Sequence, residues 1–249
     1  MRRIALCVAL FFALAIAGFA APEVLQLPAV DLRINAPENP TQLVQTLNIV
    51  VILTLLVLAP SLVMMMTSFT RLLIVFSFLR QAMGTQQTPP NQILISMALI
   101  LTFFIMEPAM RQAWSEGIVP YMNEEIGYVE AFDRAIAPFE DFMLRNTREK
   151  DLALFLRIRG EDNIQSEADI TLPILLPAFM ISELKTAFEI GFLLYLPFLV
   201  IDMVVSSVLM AMGMMMLPPV MISLPFKIIL FIMVDGWNLL VGSVVQSFR

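Results

Sequence analysis

The sequence predicts an all-α, membrane-associated fold: long kinked helices and helical hairpins, a small exported helical domain, and assembly into a ring. Three observations lead there. Of 249 residues, 59% are hydrophobic and only 14% charged, against about 45–50% and about 25% in an ordinary soluble domain. One uncharged run, LVQTLNIVVILTLLVLAPSLVMMM (43–66), exceeds the ~20 residues a helix needs to cross ~30 Å of hydrocarbon. The remaining apolar runs are short, kinked or charged near the middle, and each ionised group costs at least ~2.5–3.5 kcal/mol at mid-bilayer. Helices of that kind must hide their charges against protein, and a chain this short is expected to need neighbours to do so.

The elements follow in chain order. Arg2 and Arg3 precede an uncharged apolar stretch (4–16) and the small residues of AGFAAPE (17–23). That pattern reads as a signal peptide over 1–21, cleaved near Ala20 or Ala21, in preference to an uncleaved first helix. Pro22, Pro28, Pro37 and Pro40 then mark 22–42 as an extended exported arm. Residues 43–106 form a first hydrophobic helical hairpin. Its first run should kink at Pro60. Its polar connection carries Arg71, Arg80 and MGTQQTPPN (83–91), a purely positive segment that belongs in the cytoplasm. Its second run, ILISMALILTFFIM (93–106), is short and ends at Glu107-Pro108.

Residues 107–170 hold about two-thirds of the acidic residues, the mark of a separate water-exposed region, here an exported helical domain. Phe132, Ala135, Ile136, Phe139, Phe142 and Met143 recur in it at helical spacing, with Pro138 expected to start a second helix. Residues 171–249 form C-terminal hydrophobic hairpins around a Met-rich loop. Here GFLLYLPFLVI (191–201) stops at Asp202, and 203–226 is broken at Pro218-Pro219 and again at Pro225. Lys227 and Asp235 bracket IILFIMV (228–234).

Composition also excludes functions. Histidine is absent and Cys7 is the only cysteine, so Ser-His-Asp catalysis, histidine metal sites and disulfide chemistry have no residues to work with. No cofactor is expected. A net charge of −6 argues against nucleic acid as a partner.

The charges at Glu183, Asp202, Lys227 and Asp235 are expected to pair between neighbouring subunits in a water-poor interface. The simpler alternative is local pairing, as between Lys185 and Glu189 at i, i+4. The stretch MGMMMLPP (212–219) is the other candidate site. Three successive methionines on a helix point ~100° apart and share no face, as Met64, Met65 and Met66 do at the end of the first run. Gly213 frees the backbone while Pro218 and Pro219 stop a helix, so a non-helical turn can present Met214, Met215 and Met216 together. Copies around an axis would form a soft apolar ring that excludes water and ions by dewetting. Plain gap-filling, methionine's common role in cores, is the rival.

PAFMISELKTAFEIGF (177–192) and PFLVIDMVVSSVLMAMGMMMLPPVMISLPFKIILFIMVDGW (197–237) closely resemble the FliP family of flagellar type III export proteins. The resemblance extends to TSFTRLLIVFSFLRQAMGTQQTPPNQIL (67–94) and covers most of the mature chain. It implies a non-enzymatic, pore-forming subunit of an export gate in the inner membrane and flagellar basal body, part of it projecting into the periplasm. It also implies a homo-oligomer of five copies with FliQ- and FliR-type subunits, FlhA- and FlhB-type components and a FliO-type assembly factor. Substrates would be unfolded flagellar proteins, and the family's methionine gasket maps onto Met214, Met215 and Met216. The same gate in a virulence injectisome is the near alternative. An ion-coupled transporter would show inverted repeats, which the sequence lacks, and an intramembrane aspartyl protease would need Asp202 and Asp235 to converge on one water.

Overall fold

The computed structural model describes residues 40–85, 88–160, 170–214 and 216–248, with backbone alone at 40–46 and Leu55. Helices make up 85% of these residues and no strand occurs among them. The expected signal peptide, residues 22–39 of the expected arm, and Met215 lie outside the described residues. The chain divides into two compact units, Met1–Thr54 and Leu55–Arg249. The boundary falls inside α1 (Pro40–Met65), which runs without a break through Pro60. In the first unit, the described side chains of α1, Leu47 and Ile49 to Leu53, face outward.

In the second unit, α1 ends with the Thr67 hydroxyl donating to the Met64 carbonyl at 2.8 Å. α2 (Phe69–Ala82) follows directly. The expected polar connection is therefore largely a helix. It buries Arg71, Leu72, Val75, Phe76, Leu79 and Ala82, a stripe at three- and four-residue spacing. It ends at Gly84, whose left-handed φ of 76° suits a residue without Cβ.

α3 (Asn91–Gln112) buries Leu94, Ala98, Thr102 and Met106, one residue per turn, and exposes Ile100, Phe103 and Phe104. Glu107-Pro108 does not end it. The helix passes through Pro108 into a π-helical turn (Ala113–Ile118) and the short α4 (Val119–Met122). Proline removes one ladder hydrogen bond, while the turn beyond is held by packing. A Cβ on Gly117 would lie 2.8 Å from the Ala135 backbone nitrogen and 2.9 Å from the Ala131 carbonyl, so helix and turn meet almost backbone to backbone.

That partner is α5 (Tyr128–Asn146), a single helix with Pro138 inside it rather than at the start of a second. Its inner side carries Ile136, Phe139, Phe142 and Met143 against Met66, Leu175 and Phe179. α6 (Glu149–Arg159) has acids in its first turn, Arg157 and Arg159 in its last, and left-handed Gly160 as its stop, all favoured by the helix dipole and C-cap geometry.

α7 (Leu172–Ala211) is 40 residues long and passes through Pro177, Pro197 and Asp202, none of which ends it. At Gly191 an added Cβ would strike the Phe78 ring at 2.6 Å, so α2 and α7 pack closely there. α8 (Pro219–Met233) likewise contains Pro225 without breaking. Left-handed Asp235 turns the chain by 66° into α9 (Gly236–Gln246).

Among the described residues, Leu47–Met65, Asn91–Met122 and Leu172–Ala211 are long and apolar enough to cross a membrane, and the bent pair α8–α9 is a fourth candidate if counted as one span. Sequence inspection finds only the first of these comfortable. Continuity through Pro108, Pro177 and Pro197 supplies the others.

Gly117→Ala should lower the thermal midpoint in detergent, by about 1–3 kcal/mol of stability, because its neighbours are backbone. Gly242→Ala, with nothing within 4 Å of the new methyl, should be neutral or stabilising. The opposite ranking would contradict the packing of the π-helical turn on α5.

Candidate functional site

Two buried charge clusters and one exposed turn stand out. The first cluster is built on Arg71 and Glu183, 2% and 0% exposed. Arg71 sits on the buried stripe of α2 and Glu183 on that of α7. The Arg71 Nε donates to Glu183 Oε2 at 2.9 Å, and Nη2 donates to Glu183 Oε1. Nη1 donates to the Ser247 carbonyl at 2.9 Å and to its hydroxyl at 2.8 Å. The guanidinium lies 3.7 Å above the Phe248 ring. A bidentate pair with both Nη1 donors also occupied is a geometry in which a buried ion pair is tolerated.

The second cluster joins three helices. Lys227 of α8, 2% exposed, donates from Nζ to Asp202 Oδ2 of α7 at 2.6 Å and to the Ala82 carbonyl at the end of α2 at 3.1 Å. The buried Ser223 hydroxyl donates to Asp202 Oδ1 at 2.5 Å.

Glu183, Asp202 and Lys227 each have a partner inside the chain, where the sequence leads one to expect partners in neighbouring subunits. α2 supplies the surfaces that expectation lacks. Arg71, read there as a loop charge marking the cytoplasmic side, is one of the missed residues, and its place at i, i+4, i+8 with Val75 and Leu79 is the signal that finds it. Asp235 differs from the other three. It is exposed, accepts a hydrogen bond from Asn238 at 3.2 Å, and forms no ion pair among the described residues.

A third polar group ties the acidic region to α7. The Ser182 hydroxyl donates to Asp151 at 2.7 Å and accepts from the Arg148 backbone N–H at 2.8 Å. The Arg148 guanidinium donates to Glu189 at 2.7 and 3.1 Å and to Thr186 at 3.2 Å. Its hydrogen bonds to Glu189 hold its pKa above the ordinary arginine value. Glu189 is therefore bonded to Arg148, with the Lys185 charge on its own helix face adding a smaller attraction.

The turn between α7 and α8 spans 212–218. Gly213 has φ 77°. Its N–H bonds the Met210 carbonyl at 3.0 Å, and the Met214 N–H bonds the Leu209 carbonyl at 2.9 Å. This pair of bonds is a Schellman cap, which needs a residue free to enter the left-handed region. Pro218 is extended and Pro219 opens α8. Met214 is 42% and Met216 99% exposed, so neither is packing the chain's own core. Met215 lies outside the described residues. Chemically the turn offers thioethers and no titratable group.

Comparison with known proteins adds the following. The FliP family matches residues 52–244. A flagellar biosynthetic protein FliP of Bacillus subtilis (strain 168) is 52% identical over 217 residues, 87% of this chain and 98% of the relative. Its namesake in Pectobacterium carotovorum subsp. carotovorum is 51% identical over 233 residues, 92% and 89% of the two chains. That of Aquifex aeolicus (strain VF5) is 48% identical over 226 residues, 90% and 93%. The matched region contains the charged residues of both clusters and the methionine turn, and stops short of Ser247 and Phe248.

Arg71→Met should cost about 3–5 kcal/mol, since it strands the Glu183 carboxylate. Arg71→Met/Glu183→Leu should recover most of that loss. Thermal unfolding in detergent reads both, and a double variant no better than the single one would assign the cost to Ser247 and Phe248 instead.

Proposed function

The chain belongs to the FliP family, and from that membership we propose that it is a pore-forming subunit of the flagellar protein export gate, with the turn at 212–218 as its seal. The observation that carries the reading is the turn itself. Gly213 and Pro218-Pro219 separate α7, the longest of the described helices, from α8 at a point where methionines are exposed to solvent instead of buried. In a ring of copies, such turns would converge as a collar. An apolar constriction excludes water and ions by dewetting. Methionine, unbranched and polarisable, repacks around whatever passes, which suits a seal for unfolded chains of differing sequence. The work is positional, with no covalent step, so the protein acts as a conduit rather than an enzyme.

The geometry of α7 supports a gate that stands partly outside the bilayer. Its 40 residues extend about 60 Å, twice the ~30 Å of a hydrocarbon core. Ser182, Glu183 and Glu189 lie in its first half, beside the acidic region proposed to face the periplasm. The turn lies at its other end, and the segment that follows α2, proposed to face the cytoplasm, approaches the start of α8. A Cβ on Gly84 would come 3.5 Å from Val220 at the start of α8. In this reading the ring holds five copies in the inner membrane, with FliQ- and FliR-type subunits, FlhA- and FlhB-type components nearby and a FliO-type factor in assembly. Relatives named as flagellar proteins favour the flagellar branch over an injectisome.

Met214→Ala/Met215→Ala/Met216→Ala should leave assembly intact and raise small-ion conductance across membranes carrying the complex. Electrical recording at matched complex density decides it: conductance equal to the unmodified gate would remove the sealing role.

A further inference from the structure

We propose that Asp202, Ser223 and Lys227 are positioning residues that set where the methionine turn sits, by fastening α7 to α8 and α8 to the end of α2. The turn is poorly held by itself. Among the described residues, its own ties are the bond from the Met212 N–H to the Val208 carbonyl, the Schellman bonds and a 3.4 Å contact from the Leu217 N–H to the Met214 carbonyl. A Cβ on Gly213 would meet nothing within 4 Å. Where the methionines sit therefore depends on where the two arms of the hairpin are fastened.

Among the described residues, every side-chain hydrogen bond or ion pair between α7 and α8 goes through Asp202. Asp202 precedes the end of α7 by nine residues, about 13 Å, and Ser223 follows the start of α8 by four, about 6 Å. The aromatic contact of Phe198 with Phe231, centroids 6.4 Å apart, lies farther from the tip along both helices. Lys227 completes a triangle. Its second bond goes to the carbonyl of Ala82, the last residue of α2, a group the helix leaves without an intrahelical partner and a favourable place for a cation. Left-handed Gly84 lets the chain pass close by: a Cβ there would lie 3.9 Å from Lys227 Nζ.

Because Lys227 is 2% exposed, water is a poor substitute for either partner, and the brace is stiff. Removing it frees the tip of the hairpin from α2 while leaving the Arg71–Glu183 cluster in place. The positional part of this inference stands on the chain's own geometry. Its consequence for leakage rests on the gate reading above.

The test separates the two. In full-length chain with Cys7→Ser, spin labels on cysteines replacing Gln81 and Met216 report the distance from α2 to the turn, in complexes diluted with unlabelled chain. Lys227→Arg should preserve the distance distribution. Lys227→Met should broaden and shift it. Asp202→Asn/Lys227→Met, which buries no unpaired charge, serves the same purpose where the single variant folds poorly. A distribution unchanged in these variants would overturn the brace. On unlabelled chains the same variants should raise ion conductance toward that of the triple methionine variant. A broadened distribution with unchanged conductance would uphold the brace and overturn the seal.

Discussion

Charges inside apolar helices must be satisfied by protein, because neither hydrocarbon nor a close-packed core will solvate them. In this chain the requirement is met first by Arg71 and Glu183. Each lies on the buried stripe of its own helix, so the pair fixes how far α2 is displaced along α7 and how each is rotated about its axis. The same guanidinium holds the Ser247 carbonyl and hydroxyl and stacks on Phe248, which brings the end of α9 to the same point. Phe248 in turn stacks on Phe142 of α5 at 5.9 Å. One cation thereby locates four helices. The close approach of Gly191 to Phe78 and the core around Leu72, Phe76 and Leu79 are consistent with that placement.

Length gives α7 two different surroundings. A helix of about 60 Å carries polar ties to Arg148 and Asp151 in its first half and a mainly apolar surface in its second, where Leu193, Leu196, Val200, Val204 and Val208 face outward. The acidic region is fastened to the first half by buried Ser182, which acts as donor and acceptor at once. The second half leads to the turn, so one rigid element connects the two ends of the unit.

At the turn, softness and stiffness are assigned to different residues. The exposed methionines are free to repack, while the helices beneath them are joined by charged hydrogen bonds at Asp202 and Lys227. In the proposed gate, a soft collar on loose arms would leave its opening undefined. Gly213 in the left-handed region and Pro219 at the first turn of α8 keep the break at one place in the chain.

Much of this was legible in residue order alone. The apolar composition, the helical spacing in α5 and the break at Gly213 and Pro218-Pro219 are local properties, because helix periodicity, left-handed backbone and a missing N–H act within a few residues. What the sequence could not determine was whether Pro108, Pro138, Pro197 and Pro225 end their helices. A proline removes one hydrogen bond, and the outcome depends on what packs beyond it, as Gly117 does on Ala135. Nor could it determine the charge partners. Arg71 meets Glu183 across 112 positions and Lys227 meets the Ala82 carbonyl across 145. Only the tertiary structure brings such groups together, because the Coulomb attraction and desolvation that decide the pairing depend on distance through space.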